Sequence, residues 1–263
     1  MNKTGAIICL ILFFLCGFGS SGPSAGEGWI EMKSRHFFVY YKNTPVDFSK
    51  TVINTAEEYY DDITHDLGFY SDKGWRFKDR AKIYIYDDQQ DYVENGRQVQ
   101  WSGGAAYYNR RMMKTYPSAV GFFDSTLPHE LGHIIFHEFV GERVKIPTWF
   151  DEGVAMYQEK GKRWGAHQTV KVAIAEGTFI PLQDLAHVRL KHNSPREEIE
   201  LFYAESASAV YFLIEEQGRF RFLNFCRRLQ HGDKFYYAFE LSYPHFKTLE
   251  RFNKAWVSYL ERQ

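Results

Sequence analysis

Cysteine is scarce in this sequence: there are three copies in 263 residues, and two of them, Cys9 and Cys16, lie within the first sixteen. Beyond that point only Cys226 remains, so no intrachain disulfide can brace the rest of the chain and a packed core must hold it. Charge of one sign is missing too. Lys and Arg number 32 against 33 Asp and Glu, for a net charge of −1, and no basic stripe gathers anywhere along the chain. Nucleic acid, with its dense phosphate charge, therefore finds no electrostatic footprint here. Long apolar runs are nearly absent. The run Ala6–Cys16 has eleven residues, too few to span a bilayer. No solenoid period and no disordered tract is present either.

That short run has another meaning. It follows Lys3 and is followed by Gly and Ser residues, the layout of a secretory signal peptide. The expectation is a signal peptide over residues 1–22 and export to a periplasmic, extracellular or envelope-associated location. Cys16 opens an alternative in which a lipidated cysteine anchors the mature chain, although Leu15 stands where such signals carry Gly, Ala or Ser. Membrane contact is expected only through such a lipid or through an uncleaved signal segment. The remainder, about 27–263, has ample apolar and aromatic content for one core; the whole chain is 44% apolar and 18% aromatic.

Periodicity sorts that remainder into two halves. Trp29–Tyr41 alternates and then turns aromatic, which predicts a strand, and Ala81–Tyr86 predicts another. Between them Val52, Ile53, Ala56, Tyr59, Tyr60 and Ile63 recur at helical spacing over Val46–Leu67, with Gly68 as the stop. A short helix is expected to start in the polar stretch after Tyr86. Beyond residue 124 helical patterns dominate: Thr169–Glu176, a helix opening at Tyr203 and ending at Gly218, Phe220–Leu229 and Leu249–Leu260. Arg189–Glu200, polar and containing Pro195, reads as a loop at the rim of a cleft. The fold class is α+β, with a strand-containing front lobe over about 27–123 and a mainly helical lobe over about 124–263.

The chemistry concentrates in Leu127–Glu138, LPHELGHIIFHE. His129, Glu130 and His133 stand in the order HExxH, and on a helix two His four apart share a face, roughly 6 Å from one another. Both imidazoles can reach one Zn²⁺, which would keep room for a water of pKa near 7, and Glu130 is placed to take that water's proton. A third ligand is needed, and Glu152 in PTWFDEGVA is the candidate, with eighteen residues between it and His133. That gap lets one helix end, a loop at 141–146 reverse the chain and a second helix present a carboxylate. Thr148 and Asp151 read as the capping box of that second helix. Asp124 or Ser125 would cap the first, with Pro128 tolerated in its first turn. His137 lies about 12 Å of rise from His129, too far to share its ion, and is expected to pack or to support the ligands from behind.

HELGH, eighteen residues and then WFDEG resembles the gluzincin metallopeptidases, most closely the small peptidase MA-like domains, with aminopeptidase-N-like and thermolysin-like enzymes as more distant relatives. The resemblance implies a zinc cleft between the two lobes, with His129, His133 and Glu152 as zinc ligands and Glu130 as general base. It also gives Tyr203, at the head of YAESASAVYFLIE, the role of stabilising the tetrahedral oxyanion. His192 is a further, weaker oxyanion candidate. In gluzincins a strand at the cleft rim takes the peptide as one more strand, which points to Gly103–Tyr108. An ordinary hairpin is the other reading of that segment. The aminopeptidase branch carries a Glu there to hold the free amine, and GGAAYY has none, so an endopeptidase-type activity is expected. The alternatives are a zinc hydrolase acting on a non-protein cell-envelope substrate and a catalytically silent binding module. The intact Glu130 speaks against the latter.

Overall fold

The computed structural model describes residues 28–69, 80–98, 103–117, 121–141, 144–191 and 194–263. The expected signal segment, with Cys9 and Cys16, and His192 lie outside the described residues. So do Trp101 and Ser102, just before the expected rim strand, and residues 142–143 of the loop that follows the motif helix.

The architecture is α+β. Strands β1 (Ile30–Lys33), β2 (Phe37–Tyr41), β3 (Ala81–Ile85), β4 (Gly104–Tyr107) and β5 (Met112–Thr115) form one sheet in the order β1-β2-β3-β5-β4. β3 runs parallel to both β2 and β5, while β1 and β4 are antiparallel to their neighbours. Side chains alternate between the two faces. Val39, Ile83, Met113 and Ala106 form one cross-strand row, and Tyr40, Tyr84, Lys114 and Ala105 form the next. The first row is aliphatic and its Val39, Ile83 and Met113 are completely buried. The second is aromatic: Tyr40 stacks on Tyr84 at 4.8 Å, and Trp29 meets Tyr84 edge-on at 5.3 Å. Lys114 is buried in this layer with its Nζ donating to Gly96 O at 2.9 Å, and burial pulls its pKa down to about 8.

Two features of the sheet depart from the sequence pattern. Trp29–Tyr41 is a hairpin, not one strand: Ser34 N–H donates to Phe37 O at 3.0 Å and the chain folds back. Ser34, Arg35 and His36 carry no Gly or Pro turn signal, and what fixes them is tertiary. His36 N–H donates to Glu57 Oε1 at 2.7 Å, His36 Nδ1 meets Glu57 Oε2 at 2.6 Å, and the imidazole stacks on Tyr60 at 3.7 Å. Strand β5 was not expected at all, since MMKT is too short to show a period. It is entered through Arg111, a non-glycine residue at φ 46.

Helix α1 (Val46–Leu67) matches its apolar stripe and ends at Gly68 in the left-handed conformation, φ 73. Helix α2 (Gln89–Glu94) is capped by Asp88, whose side chain accepts from Asp91 N–H. Then follow α3 (Leu127–Val140), α4 (Thr148–Gln158), α5 (Arg163–Glu176), α6 (Leu182–Leu185), α7 (Arg196–Tyr211), α8 (Arg219–Gln230), α9 (Phe235–Ser242) and α10 (Leu249–Leu260). α5 starts six residues earlier than its apolar pattern, and α9 is additional. α7 starts at Arg196, so the last five residues of the expected rim loop are helical and Tyr203 sits two turns inside. Glu197 and Glu198 in the first turn lie at the positive end of the helix dipole, a favourable position for acids. No helix among the described residues is long and apolar enough to cross a membrane.

The helices meet around α4. Phe150 lies within 5.1–5.4 Å of the rings of Phe225 and Phe235, and each such fully buried side chain contributes about 1.5–3 kcal/mol. Two glycines set the spacing. A Cβ on Gly132 of α3 would lie 3.1 Å from Ala155 Cα, and one on Gly153 of α4 would lie 2.4 Å from Ser206 O of α7. Cys226 is buried as a free thiol, in keeping with a fold held by its core.

Two outcomes are expected from this packing. Gly153→Ala puts a methyl against backbone that cannot step aside, and overpacking of this kind costs about 1–3 kcal/mol; urea denaturation of the variant should show the loss, and an unchanged midpoint would contradict it. The Glu57 clasp gives a pH signature. Burial raises the Glu57 carboxyl, but hydrogen bonds from His36 and Ser34 outweigh it and hold the pKa at about 2, below the usual carboxylate range. Its stabilisation is therefore complete above the unfolded pKa and fades as pH falls through the folded one. Between pH 5 and pH 2 the wild type should lose stability more steeply than Glu57→Gln; parallel curves would count against the clasp.

Candidate metal centre

The motif helix has an unusual entry. Gly121, at φ 70, starts a π-helical turn over Phe122–Thr126 that runs directly into α3, so neither Asp124 nor Ser125 caps it and Thr126 already has helical dihedrals. Pro128 is accommodated in the first turn; it has no N–H to offer the Phe123 carbonyl, which accepts the Tyr59 hydroxyl at 2.8 Å instead. With no cap to make, the Ser125 hydroxyl instead donates to Glu159 Oε2.

One turn of α3 places His129 and His133 side by side, with their Nε2 atoms 3.3 Å apart. Glu152 reaches them from the first half of α4: its Oε2 lies 3.5 Å from His129 Nε2 and 3.7 Å from His133 Nε2. The three residues each offer one donor atom, all within 4.8 Å of one another. Ligands at about 2.0–2.1 Å from a tetrahedral ion stand about 3.3–3.4 Å apart, so the triangle is the right size for a small dication. All three side chains are buried, and Glu152 Oε2 has no hydrogen-bond partner. A carboxylate oxygen in that position is costly unless a cation answers it.

The surrounding charges favour the same occupant. Burial pushes the His129 pKa down, but the Glu152 and Glu159 carboxylates outweigh it and raise it to about 9; Asp151 and Glu152 likewise drive His133 well above its usual value. Burial raises Glu152, and the two imidazoles bring it below its usual value. The pocket thus favours positive charge, which a dication bound at the three donor atoms would supply in place of protons.

Behind the three candidate donor atoms stands a layer of carboxylates. His129 Nδ1 meets Glu159 Oε1 at 3.0 Å, and His133 Nδ1 meets Asp151 Oδ1 at 3.1 Å. Asp151 does not cap α4. Pro147, with φ −60 and ψ 139, occupies the N-cap position with no side-chain cap bond, and Thr148 is already inside the helix. The capping box fails because Asp151 is drawn to the histidines. His137 Nε2 lies 3.0 Å from each of the Asp151 oxygens, in the supporting place expected for it. Glu159 was not anticipated. Its signal was available: it lies seven residues after Glu152, two helical turns along the same face.

Glu130 is completely buried beside the triangle, and neither of its oxygens makes a hydrogen bond of ordinary geometry. Burial raises its pKa, Glu152 adds to that, and His129, His133 and the backbone amide of Ala106 act the other way. Tyr203 is buried on α7. Burial, together with the charges of Glu152, Glu130 and Glu159, pushes its pKa far up, so the hydroxyl stays a proton donor in the same electrostatic neighbourhood. Within the expected segment Gly103–Tyr108, Gly104–Tyr107 form β4, the last strand of the sheet on the side of α3. A Cβ on Gly104 would lie 2.5 Å from Thr126 Cγ2, so this glycine lets the edge strand come close to the start of the motif helix.

Among curated proteins no match was found. The sequence model described as the Peptidase MA superfamily matches residues 67–262. That span takes in the motif helix, the Glu152 helix and all the helices after them, and the chain belongs to the Peptidase MA superfamily.

Proposed function

We propose that the protein is a zinc-dependent peptide-bond hydrolase of endopeptidase type that works outside the cytoplasm. The observation that carries this reading is the buried triangle of His129 Nε2, His133 Nε2 and Glu152 Oε2, the last making no ordinary hydrogen bond, with the acid Glu130 next to it. Zinc held by these three residues supplies a Lewis acid and brings the pKa of a water near 7.

The chain's own groups do the rest. Glu130 takes a proton from the attacking water, whose oxygen bonds to the carbonyl carbon of the scissile peptide. It then delivers that proton to the leaving amine as the C–N bond breaks. Tyr203 donates its hydroxyl hydrogen to the carbonyl oxygen while that oxygen bears negative charge. Strand β4 takes an extended substrate as an added strand, with main-chain hydrogen bonds independent of side-chain identity. No acid stands in Gly103–Tyr108 to hold a free amine, which favours cleavage within a chain. The apolar segment Ala6–Cys16 supports export.

Zinc content and cleavage of an unfolded protein, measured together on residues 23–263, test this. The wild type should hold one zinc per chain and cleave, and Glu152→Ala should lose both. Glu130→Gln should keep the zinc and lose a factor of about 10²–10⁴ in rate. Full activity in Glu130→Gln would overturn the mechanism. Tyr203→Phe should keep its zinc and lose a factor of about 10²–10³, the usual effect of removing one oxyanion donor; an unchanged rate would remove Tyr203 from the chemistry.

A further inference from the structure

His137 is too far along α3 to bind the ion that His129 and His133 would share, yet it is 4% exposed and spends its Nε2 on Asp151. The geometry of that contact is specific. His137 Nε2 is 3.0 Å from Asp151 Oδ1 and 3.0 Å from Oδ2, so its N–H straddles the carboxylate. Oδ1 also takes His133 Nδ1 at 3.1 Å. His133 and His137 are four residues apart on one helix and the carboxylate arrives from another, so Asp151 is held by two successive turns of α3.

An Asp in the first turn of a helix has a competing use, because it can swing back to bond the free backbone amides there. His137 opposes that swing by fixing the plane of the carboxylate. With Oδ1 held toward His133, that imidazole keeps its proton on Nδ1 and its lone pair on Nε2, facing Glu152 and His129. The other ligand is braced in the same manner: Glu159 holds His129, and Ser125 holds Glu159. Each histidine thus has a carboxylate behind it, and each carboxylate has a second donor.

We propose that His137 is a positioning residue of the metal centre: by clamping Asp151 it keeps His133 in its metal-binding tautomer and so sets zinc affinity without touching the ion. This rests on the zinc reading above. His137 is among the residues that line a surface cavity of about 460 Å³, together with Arg111, Glu138, Val140 and Val144. Because the ring itself is buried, the test includes a variant that keeps its bulk.

The test is zinc affinity, measured by competition with a chromophoric chelator on the apo forms of residues 23–263, with thermal unfolding of each apo variant alongside. His137→Ala should bind zinc about ten-fold more weakly, the lower end of what loss of an outer partner costs. His137→Gln, whose amide nitrogen reaches the place of Nε2, should recover most of that loss. His137→Leu, which keeps the bulk without the donor, should be as weak as the alanine variant and takes its place if alanine does not fold. In an Asp151→Ala background the His137 substitution should change affinity by less than about two-fold, since its partner is gone. Wild-type affinity in His137→Ala, or an equal loss with and without Asp151, overturns the clamp. A wild type that binds no zinc overturns the metal centre itself, and the two failures are thereby told apart.

Discussion

The site depends on how closely α4 can lie against the helices on either side of it. Glu152 can meet His129 and His133 only if the backbones of α3 and α4 nearly touch, and Gly132, inside the HELGH sequence itself, allows that by facing Ala155. Gly153, next to Glu152, does the same against the Ser206 carbonyl of α7. The two contacts lock α4 as the middle layer of three helices, with a carboxylate on one side of the seam and the Tyr203 helix on the other. The glycines of HELGH and of DEG are therefore as much a part of the cluster as His129, His133 and Glu152, because a methyl at either would separate the helices that these side chains bridge.

Such close packing buries a large amount of charge. His129, Glu130, His133, Glu152 and Glu159 are all at most 2% exposed, and groups of this kind pay a desolvation cost that only mutual pairing can offset. Most of them pair in order: Ser125 to Glu159 to His129 on one arm, and His137 to Asp151 to His133 on the other. What is left over is the inner side of the triangle, where Glu152 Oε2 makes no ordinary hydrogen bond and has only the two imidazoles beside it, and where Glu130 meets only the backbone amide of Ala106. The outer layer is satisfied and the inner one is less so, an arrangement that suits a cluster able to take a metal ion.

How much of this could be read from the residues followed from the range of the forces involved. The HExxH register and the Glu152 spacing are local consequences of helical period and loop length, so they were legible. α1 was legible for the same reason, carrying six apolar residues on one stripe and a glycine stop. The turn at Ser34–His36 was not, because Glu57 and Tyr60, more than twenty positions away, hold it. Asp151 was misread as a cap because its sequence neighbourhood, Pro147 and Thr148, has the pattern of one, and the competing attraction comes from two imidazoles on another helix. Tyr203 was placed at a helix start because the acidic run Arg196–Glu200 reads as polar loop, although acids belong in a first helical turn.

The extra length of α7 has a mechanical consequence. A donor at a frayed helix end would be positioned loosely, whereas Tyr203 lies two turns in, on a helix fastened from behind by polar contacts. Glu205 accepts the Ile180 N–H at 2.9 Å, and burial raises its carboxyl to about 8, so it sits in the core as a neutral acid at neutral pH. Ser208 lies between His167 Nδ1 at 2.8 Å and Trp256 Nε1 at 3.0 Å, tying α7 to α5 and α10. Burial in the same layer pulls His167 down to about 4, which keeps it uncharged near neutral pH. Neutral hydrogen bonds of this kind add stiffness without adding charge to a molecule that already concentrates its buried charge one helix away. The back of α7 is thus electrically quiet, and the field that acts on the Tyr203 hydroxyl is set by Glu130, Glu152 and Glu159 on the front.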